Sequence, residues 1–203
     1  MNLNMELKPT TLQGERVALI PMNASHIDGL AEAAHDPAIW GYMKPLLNRA
    51  EVEAFVRLAL EEQQAGLSLP FSVYDKQTEQ WIGSTRLHDY SASNRHLEIG
   101  HTWYHPSVWR TRVNTECKYL LLRHCFETLD LIRVQIKTDL RNVRSQEAIA
   151  RLGAQREGIL RQHRILHDGY IRDTVMFSIL DSEWHSVRNR LEGFLNKNFD
   201  LAK

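Results

Sequence analysis

The sequence predicts a single α/β (α+β) domain, a mixed sheet of about seven strands with flanking helices, in the order βααβββαβαββα. Three observations carry this. Short runs of alternating character, rich in β-branched and aromatic residues, are interleaved with longer runs whose apolar residues recur every three or four positions. One strand–loop–helix–strand unit, residues 97–137, separates its two strands by a whole helix, which makes them parallel inside an otherwise antiparallel sheet. The length of 203 residues, with 43% hydrophobic and 25% charged, suits one self-sufficient core. Residues 1–203 are read as one domain, with a core over 11–183 and a C-terminal helix over 182–196.

The elements follow in chain order. Arg16–Pro21 is a first strand ended by proline. Ser25 is placed to cap a helix from His26 to His35, which Asp36-Pro37 breaks. Asn48 or Arg49 opens a second helix, with Val52, Phe55, Val56, Leu58 and Leu60 near helical spacing, and Gly66 ends it. Phe71–Tyr74 and Trp81–Leu87 form a hairpin. His96–Tyr104 is a strand with Leu97, Ile99, His101 and Trp103 on one face and Glu98, Gly100, Thr102 and Tyr104 on the other. Gly100 in mid-strand marks a bulge or a close approach of backbone. A loop over 106–113 leads into a mostly buried helix, Asn114–Leu129, then a strand over Ile132–Lys137. Asn142–Leu152 is a short helix stopped by Gly153. Ala154–Arg161 and Tyr170–Leu180 make a hairpin across His167-Asp168-Gly169. Asp181 or Ser182 caps a last helix whose stripe is Trp184, Val187, Leu191, Phe194 and Leu195.

Composition excludes several functions. Lys+Arg and Asp+Glu both count 25, so the basic excess of a general nucleic-acid binder is missing. No apolar run approaches the roughly 18 residues of a membrane span. The start, Met1–Glu6, lacks the basic and apolar regions of a signal peptide, so a cytosolic location is expected. Charge is nevertheless uneven: residues 101–173 hold 13 Lys/Arg against 8 Asp/Glu. A surplus of this kind suits a bound polyanion such as a cofactor phosphate, or is a chance clustering of surface arginines. Cys117 and Cys125 are eight apart on one helix, about 12 Å of rise, too far for a disulfide, and read as small core hydrophobes. His101 and His105 lie on a strand with no third ligand at a convincing spacing, so no metal is expected.

Four segments resemble the GNAT superfamily of N-acetyltransferases, and more narrowly its RimJ/RimL type, which acetylates ribosomal-protein N-termini. Glu98-Ile99-Gly100-His101 stands where that family has its fourth strand. Trp109–Glu116 stands at its acyl-CoA pyrophosphate loop, usually Gln/Arg-x-x-Gly-x-Gly/Ala. Asn142-x-x-Ser145, followed by Arg151-Leu152-Gly153-Ala154, is similar to its Asn-x-x-Ser…Leu-Gly segment, the most specific of the four. Asp168–Thr174 resembles the turn between its last two strands. The loop departs from the pattern: Trp109 replaces Gln/Arg, Arg112 stands at a glycine position, and Asn114 at a Gly/Ala position.

The resemblance implies acetyl transfer from acetyl-CoA to a primary amine, with a protein N-terminal amine as acceptor. Its cofactor-binding residues would be Trp109, Arg110, Thr111, Arg112, Val113, Asn114, Thr115 and Asn142. A loop feeding a helix N-terminus suits a diphosphate, because free N–H groups and the helix dipole favour anions; an ordinary strand-to-helix loop is the bland alternative. Arg112 is expected to meet a CoA phosphate through its guanidinium. A protein α-amine has an ordinary pKa of about 8, so a modest base suffices. Glu98 is the leading base by position, with His101, His88 and Tyr104 behind it; its alternative role is as an ion-pair partner. Asn142 either bonds the pantetheine arm or caps its helix. Ser145 is the nearest hydroxyl for the leaving thiolate. No Ser-His-Asp or Cys-His set is evident, so direct attack is expected, with backbone N–H groups near Ile99–His101 as oxyanion donors. Rival readings are a small-amine acceptor (polyamine, amino acid or aminoglycoside), to which the acidic Glu51, Glu53, Glu61 and Glu62 would be suited, and a non-catalytic acyl-CoA-binding module. Neither a nucleic acid nor a membrane is an expected partner, and the sequence is compatible with a homodimer.

Overall fold

Eight strands form one sheet in the order β1-β2-β3-β4-β5-β6-β8-β7. The computed structural model describes residues 7–197; the opening segment Met1–Glu6, read above for a leader, and residues 198–203 lie outside it. The strands are β1 (Leu12–Gln13), β2 (Val17–Pro21), β3 (Ser68–Asp75), β4 (Gln80–Ser91), β5 (His96–Tyr104), β6 (Arg133–Asp139), β7 (Gln155–Ile165) and β8 (Ile171–Leu180). The helices are α1 (Ile27–Ala34), α2 (Arg49–Gln64), α3 (Val113–Arg123), α4 (Val143–Leu152) and α5 (Asp181–Leu195). The two-residue β1 adds to the seven expected strands; it is too short for an alternating pattern to announce it.

The expected parallel unit is present. β5 and β6 run parallel, and every other neighbouring pair is antiparallel. The parallel pairing covers only His96↔Arg133, Leu97↔Val134 and Glu98↔Gln135, after which the strands part. Beyond that point β5 continues to Tyr104 and β6 to Asp139, leaving a wedge-shaped opening in the sheet.

One face of the sheet carries α3, α4 and α5, over a core that includes Leu87, Leu97, Ile99, Val134 and Phe177. The other face carries α1 and α2, over a second cluster that includes Leu30, Trp40, Val56 and Trp103. Helices of this second face pack on β3 and β4. The polar side chains of β6, β8 and β7 on that face include Lys137, Arg172 and His163.

Several local expectations need correction. Asn23, not Ser25, accepts a hydrogen bond from the Ser25 N–H at 2.9 Å and caps a short 3-10 turn, Ala24–His26, ahead of α1. Neither Asp181 nor Ser182 caps α5: the Leu180 N–H donates to Glu183 Oε2 at 2.9 Å. The long helix after the loop starts at Val113 and passes at His124–Thr128 into a π-type turn. Asn48 caps α2. Gly153, at φ +107°, ends α4 in the left-handed conformation that glycine adopts without strain.

Strand alternation fails in β5, for a visible reason. The register runs Ser84↔Trp103 and then Arg86↔Gly100, so β5 carries one extra residue, and His101 takes a φ of +49°. A bulge of one residue flips every later side chain to the other face. Trp103 therefore joins the α1–α2 cluster instead of following Leu97 and Ile99, while Tyr104 joins the α3 core.

Candidate active site

The loop before α3 builds a helix N-terminus with unclaimed amides. The ladder begins with the Glu116 N–H donating to the Arg112 carbonyl, and the Val113 N–H donates to Thr111 Oγ1 at 3.3 Å. The amides of Asn114 and Thr115 stand ahead of the ladder, where an anion finds both donors and the positive end of the dipole. Thr111 is itself fixed by donating to the Val108 carbonyl at 2.7 Å. Left-handed backbone falls at Arg110, φ +61°, not at Arg112, whose φ of −66° and ψ of −16° suit any residue. The arginine at the family's glycine position thus carries no conformational cost.

The Arg112 side chain, expected to meet a CoA phosphate, is engaged by protein carboxylates in this structure. Its guanidinium is held by Glu15 and lies 3.6 Å from Glu116 Oε2, in a surface groove shared with Arg16, Lys76 and Gln77. A cation facing two carboxylates is partly neutralised where it stands. Thr115 is buried, and its hydroxyl accepts from Arg151 at 2.6 Å. Trp109 donates from Nε1 to the Tyr104 carbonyl at 2.9 Å, and Arg144 of α4 stacks 4.1 Å from its ring. This stack links the loop to the first turn of α4 and was not anticipated, because nothing local relates residues 35 apart.

The α4 entrance matches the predicted spacing. Asn142 Oδ1 accepts from the Ser145 N–H at 3.0 Å, so Asn142 is a helix cap. The Ser145 hydroxyl is half-buried and makes no hydrogen bond among the described residues.

Glu98 sits where β5 and β6 part, 1% exposed. Its Oε2 lies 2.7 Å from Lys137 Nζ and accepts from Gln135 Nε2 at 3.3 Å, and its Oε1 lies 3.2 Å from His88 Nε2. Burial alone would raise this carboxyl, but hydrogen bonds from His88 and Lys137 outweigh it and hold the group below its ordinary 4.5, ionised at neutral pH. A methyl group at Gly100 would stand 2.5 Å from His88 Nε2, so the close-approach reading of this glycine holds alongside the bulge. The bulge also brings His101 to Glu98's side of the sheet: its ring meets His88 edge to face at 5.0 Å. His101 is open to solvent yet ringed by protein. That crowding, with Arg86, His88 and Arg164 nearby, lowers its pKa and keeps it neutral.

On the opposite face Lys118 of α3 is buried and donates to Thr102 Oγ1 at 2.9 Å, tying the helix to the bulge. Burial pushes its ammonium down to about 8. Tyr104 is buried in the α3 core, its hydroxyl held well above 10.0 by burial, away from Glu98 and the imidazoles. Cys117 and Cys125 are free and buried, and burial pushes the Cys117 thiol up to about 12 and the Cys125 thiol higher still, so neither is a nucleophile. No group of three His, Cys, Asp or Glu able to hold a metal occurs among the described residues.

This geometry has counterparts in known proteins. Residues 16–155 match the family described as the acetyltransferase (GNAT) domain. An uncharacterized N-acetyltransferase, p20, of Bacillus licheniformis is 27% identical over 176 residues, 86% of this chain and 98% of that protein. A GCN5-related N-acetyltransferase from Brucella melitensis superposes with a TM-score of 0.88 at 31% identity, covering 97% of this chain and 90% of that one. Mycobacterium smegmatis RimJ, solved in complex with CoA-disulfide, shares the fold at a TM-score of 0.78 and 21% identity, over 92% of this chain and 95% of that one. A helix N-terminus set to receive a diphosphate, a parted strand pair and these matches have one common reading: the chain belongs to the GNAT family and is an acyl-CoA-dependent acetyltransferase.

Proposed function

We propose that the protein is a cytoplasmic, RimJ/RimL-like N-acetyltransferase, a single domain that acetylates the α-amine of a polypeptide N-terminus by direct attack. The observation that carries this is the parting of β5 and β6 at Glu98. Backbone amides and the Ser145 hydroxyl lie on the α3–α4 side of the opening, and a carboxylate paired with Lys137 beside two imidazoles lies on the other.

The residues present fit acetyl-CoA. The Asn114 and Thr115 amides offer donors to a diphosphate, and the Ser145 hydroxyl has no protein partner to give up. Bound acetyl-CoA supplies an activated acyl group with a thiolate as leaving group. Trp109, Arg110, Thr111, Arg112 and Val113 shape the loop that presents those amides, and Asn142 fixes the turn that presents Ser145. Ionised Glu98, paired with Lys137, fixes the His88 ring at the opening. Lying 3.2 Å from His88 Nε2, it favours a proton on that nitrogen and leaves Nδ1 to accept one, so the pair acts as the general base. Backbone N–H groups near Ile99–His101 serve as the oxyanion donors in this reading. Ser145 donates to the departing sulfur.

The polyamine reading loses its support. Glu53, Glu61 and Glu62 are engaged by Arg49, Arg57 and Arg86, and Glu51 accepts from the Leu47 N–H, so these four carboxylates are already partnered. The test is acetyl-CoA turnover, read as thiol release and product mass, against N-terminal peptides, polyamines and amino acids. Peptides acetylated at the α-amine with kcat/KM above the other classes support the reading. Peptides left unmodified while a polyamine turns over would overturn it.

A further inference from the structure

The hairpin of β7 and β8 contains a like-charged pair that the mechanism does not use. Arg164 and Arg172 are direct cross-strand partners, a placement that is destabilising unless something offsets the repulsion. Among the described residues neither forms an ion pair within 4.0 Å, and Arg172 Nε is buried without an acceptor. The carboxylate that Arg172 senses, Asp139, is taken by Arg141, which donates Nε and a second nitrogen to it at 3.0 and 2.8 Å. A bulge creates the pairing. The register shifts between Leu160 and Arg164, Gln162 takes a φ of +48°, and its N–H donates to Asp173 Oδ1 at 2.7 Å.

The pair faces the reaction side. Arg172 lies within electrostatic reach of Glu98, and Arg164 within reach of His101. One end of this trough is walled by Arg141, stacked 3.5 Å from the Tyr170 ring and 5.6 Å from that of Tyr42, whose hydroxyl donates to the Arg141 carbonyl at 3.2 Å. A contact from the α1–α2 loop thus reaches the β7–β8 turn over the open face. Two planar guanidinium forks without acceptors are a receptor for a carboxylate.

We propose that Arg164 and Arg172 form a carboxylate subsite for the acceptor, so that the preferred substrate is an N-terminus with an acidic side chain in its first few residues. This rests on the acetyltransferase reading above. A free amino acid offers the same chemistry through its α-carboxylate, so the experiment separates the two sources. Steady-state kinetics would compare a Ser-Glu-led peptide, the same peptide with Ser-Gln, and free serine, in the wild type, Arg164→Gln and Arg172→Gln. The expected result is a preference of about tenfold or more for the Glu peptide, the size of one charge-assisted contact, carried mainly by KM and reduced toward unity in both variants. A charge-swapped variant, Arg164→Glu, should favour a Ser-Lys peptide and so guards against simple misfolding. Equal kcat/KM for the Glu and Gln peptides overturns the subsite while leaving acetyl transfer intact. Free serine outcompeting both peptides, with the same arginine dependence, overturns the acidic N-terminus as its occupant. Thiol release with none of the three acetylated overturns the acceptor reading along with the subsite.

Discussion

On the α3–α4 side of the β5–β6 opening stand the backbone amides of Asn114 and Thr115 and the Ser145 hydroxyl, with Arg144 and Arg151 engaged by the Trp109 ring and Thr115; on the opposite face a carboxylate, a lysine, imidazoles and arginines crowd together. One cation of the loop, Arg112, is paired with Glu15 and lies near Glu116. The opposite face concentrates Glu98, Lys137, His88, His101, Arg164 and Arg172. On the proposed function the difference follows from what each side meets. A cosubstrate diphosphate is always the same, and backbone donors on a helix end bind it at no cost in side-chain entropy. An acceptor varies, and charged side chains are the means by which one acceptor is told from another.

This contrast breaks most severely at Glu98. Glu98→Gln leaves the partly buried Lys137 without its counter-charge and should cost about 1.5–3 kcal/mol of stability, the worth of a hydrogen bond to a charged group. It should lower kcat by roughly 10²–10⁴-fold if the Glu98–His88 pair is the base. Denaturant melts and initial rates measure both. The stability loss has a pH signature. Because the folded carboxyl lies below its ordinary 4.5, its contribution is fully present above that value and is lost as pH falls through the folded pKa. The gap between wild type and Glu98→Gln should therefore close on acidification below the ordinary carboxylate range and stay constant from pH 6 to 8.

A milder break is Gly100→Ala. The new methyl, 2.5 Å from His88 Nε2, forces that ring away from Glu98. A displacement of the order of 1 Å in a catalytic group costs about 10²-fold in kcat, with KM for acetyl-CoA held, since His88 lies on the acceptor face. A raised acetyl-CoA KM in this variant would mean the two faces are not separate.

On the other side Ser145→Ala should lower kcat by the worth of one hydrogen bond to a charged sulfur, about 1.5–3 kcal/mol or roughly 10–100-fold, with little change in acetyl-CoA KM. Asn142→Ala removes the α4 cap, worth about 1 kcal/mol, and should lower Tm by a few degrees, roughly 2–4 °C for a chain of this size, while raising the acetyl-CoA KM. The smallest effect belongs to Arg112→Ala. If the guanidinium serves only Glu15 and Glu116, CoA affinity should move by less than about threefold at low salt, the scale of a surface ion pair; a loss of tenfold that shrinks with added salt would restore a direct phosphate contact.

What the sequence revealed about this division was uneven, for physical reasons. Local signals were readable. Gly100 announced the bulge, Asn142-x-x-Ser145 and Gly153 bracketed α4, and the helix between two short strands announced the parallel pair at which the sheet opens. The faces of β5 were not readable, because a one-residue bulge reverses the alternation after it and no pattern says at which residue it falls. Glu98's partners were half-visible: Lys137 and Gln135 share a face by alternation, but that this face meets Glu98 depends on the register of a strand more than 30 residues away. The Arg164–Arg172 pair was hidden for the same reason, since a second bulge at Gln162 sets it. The Trp109–Arg144 stack and the Tyr42–Arg141–Tyr170 wall join distant segments through side chains, and tertiary packing alone creates them.

The separation of the two faces is tested most directly by amide hydrogen exchange with and without saturating CoA. The account predicts slowed exchange at residues 113–116 and 142–146, where helix amides and the α4 turn meet the cosubstrate, and unchanged exchange at residues 162–173 on the acceptor face. Protection at 162–173 with none at 113–116 would contradict it, placing the anionic cosubstrate on the arginine-bearing hairpin in place of the helix end.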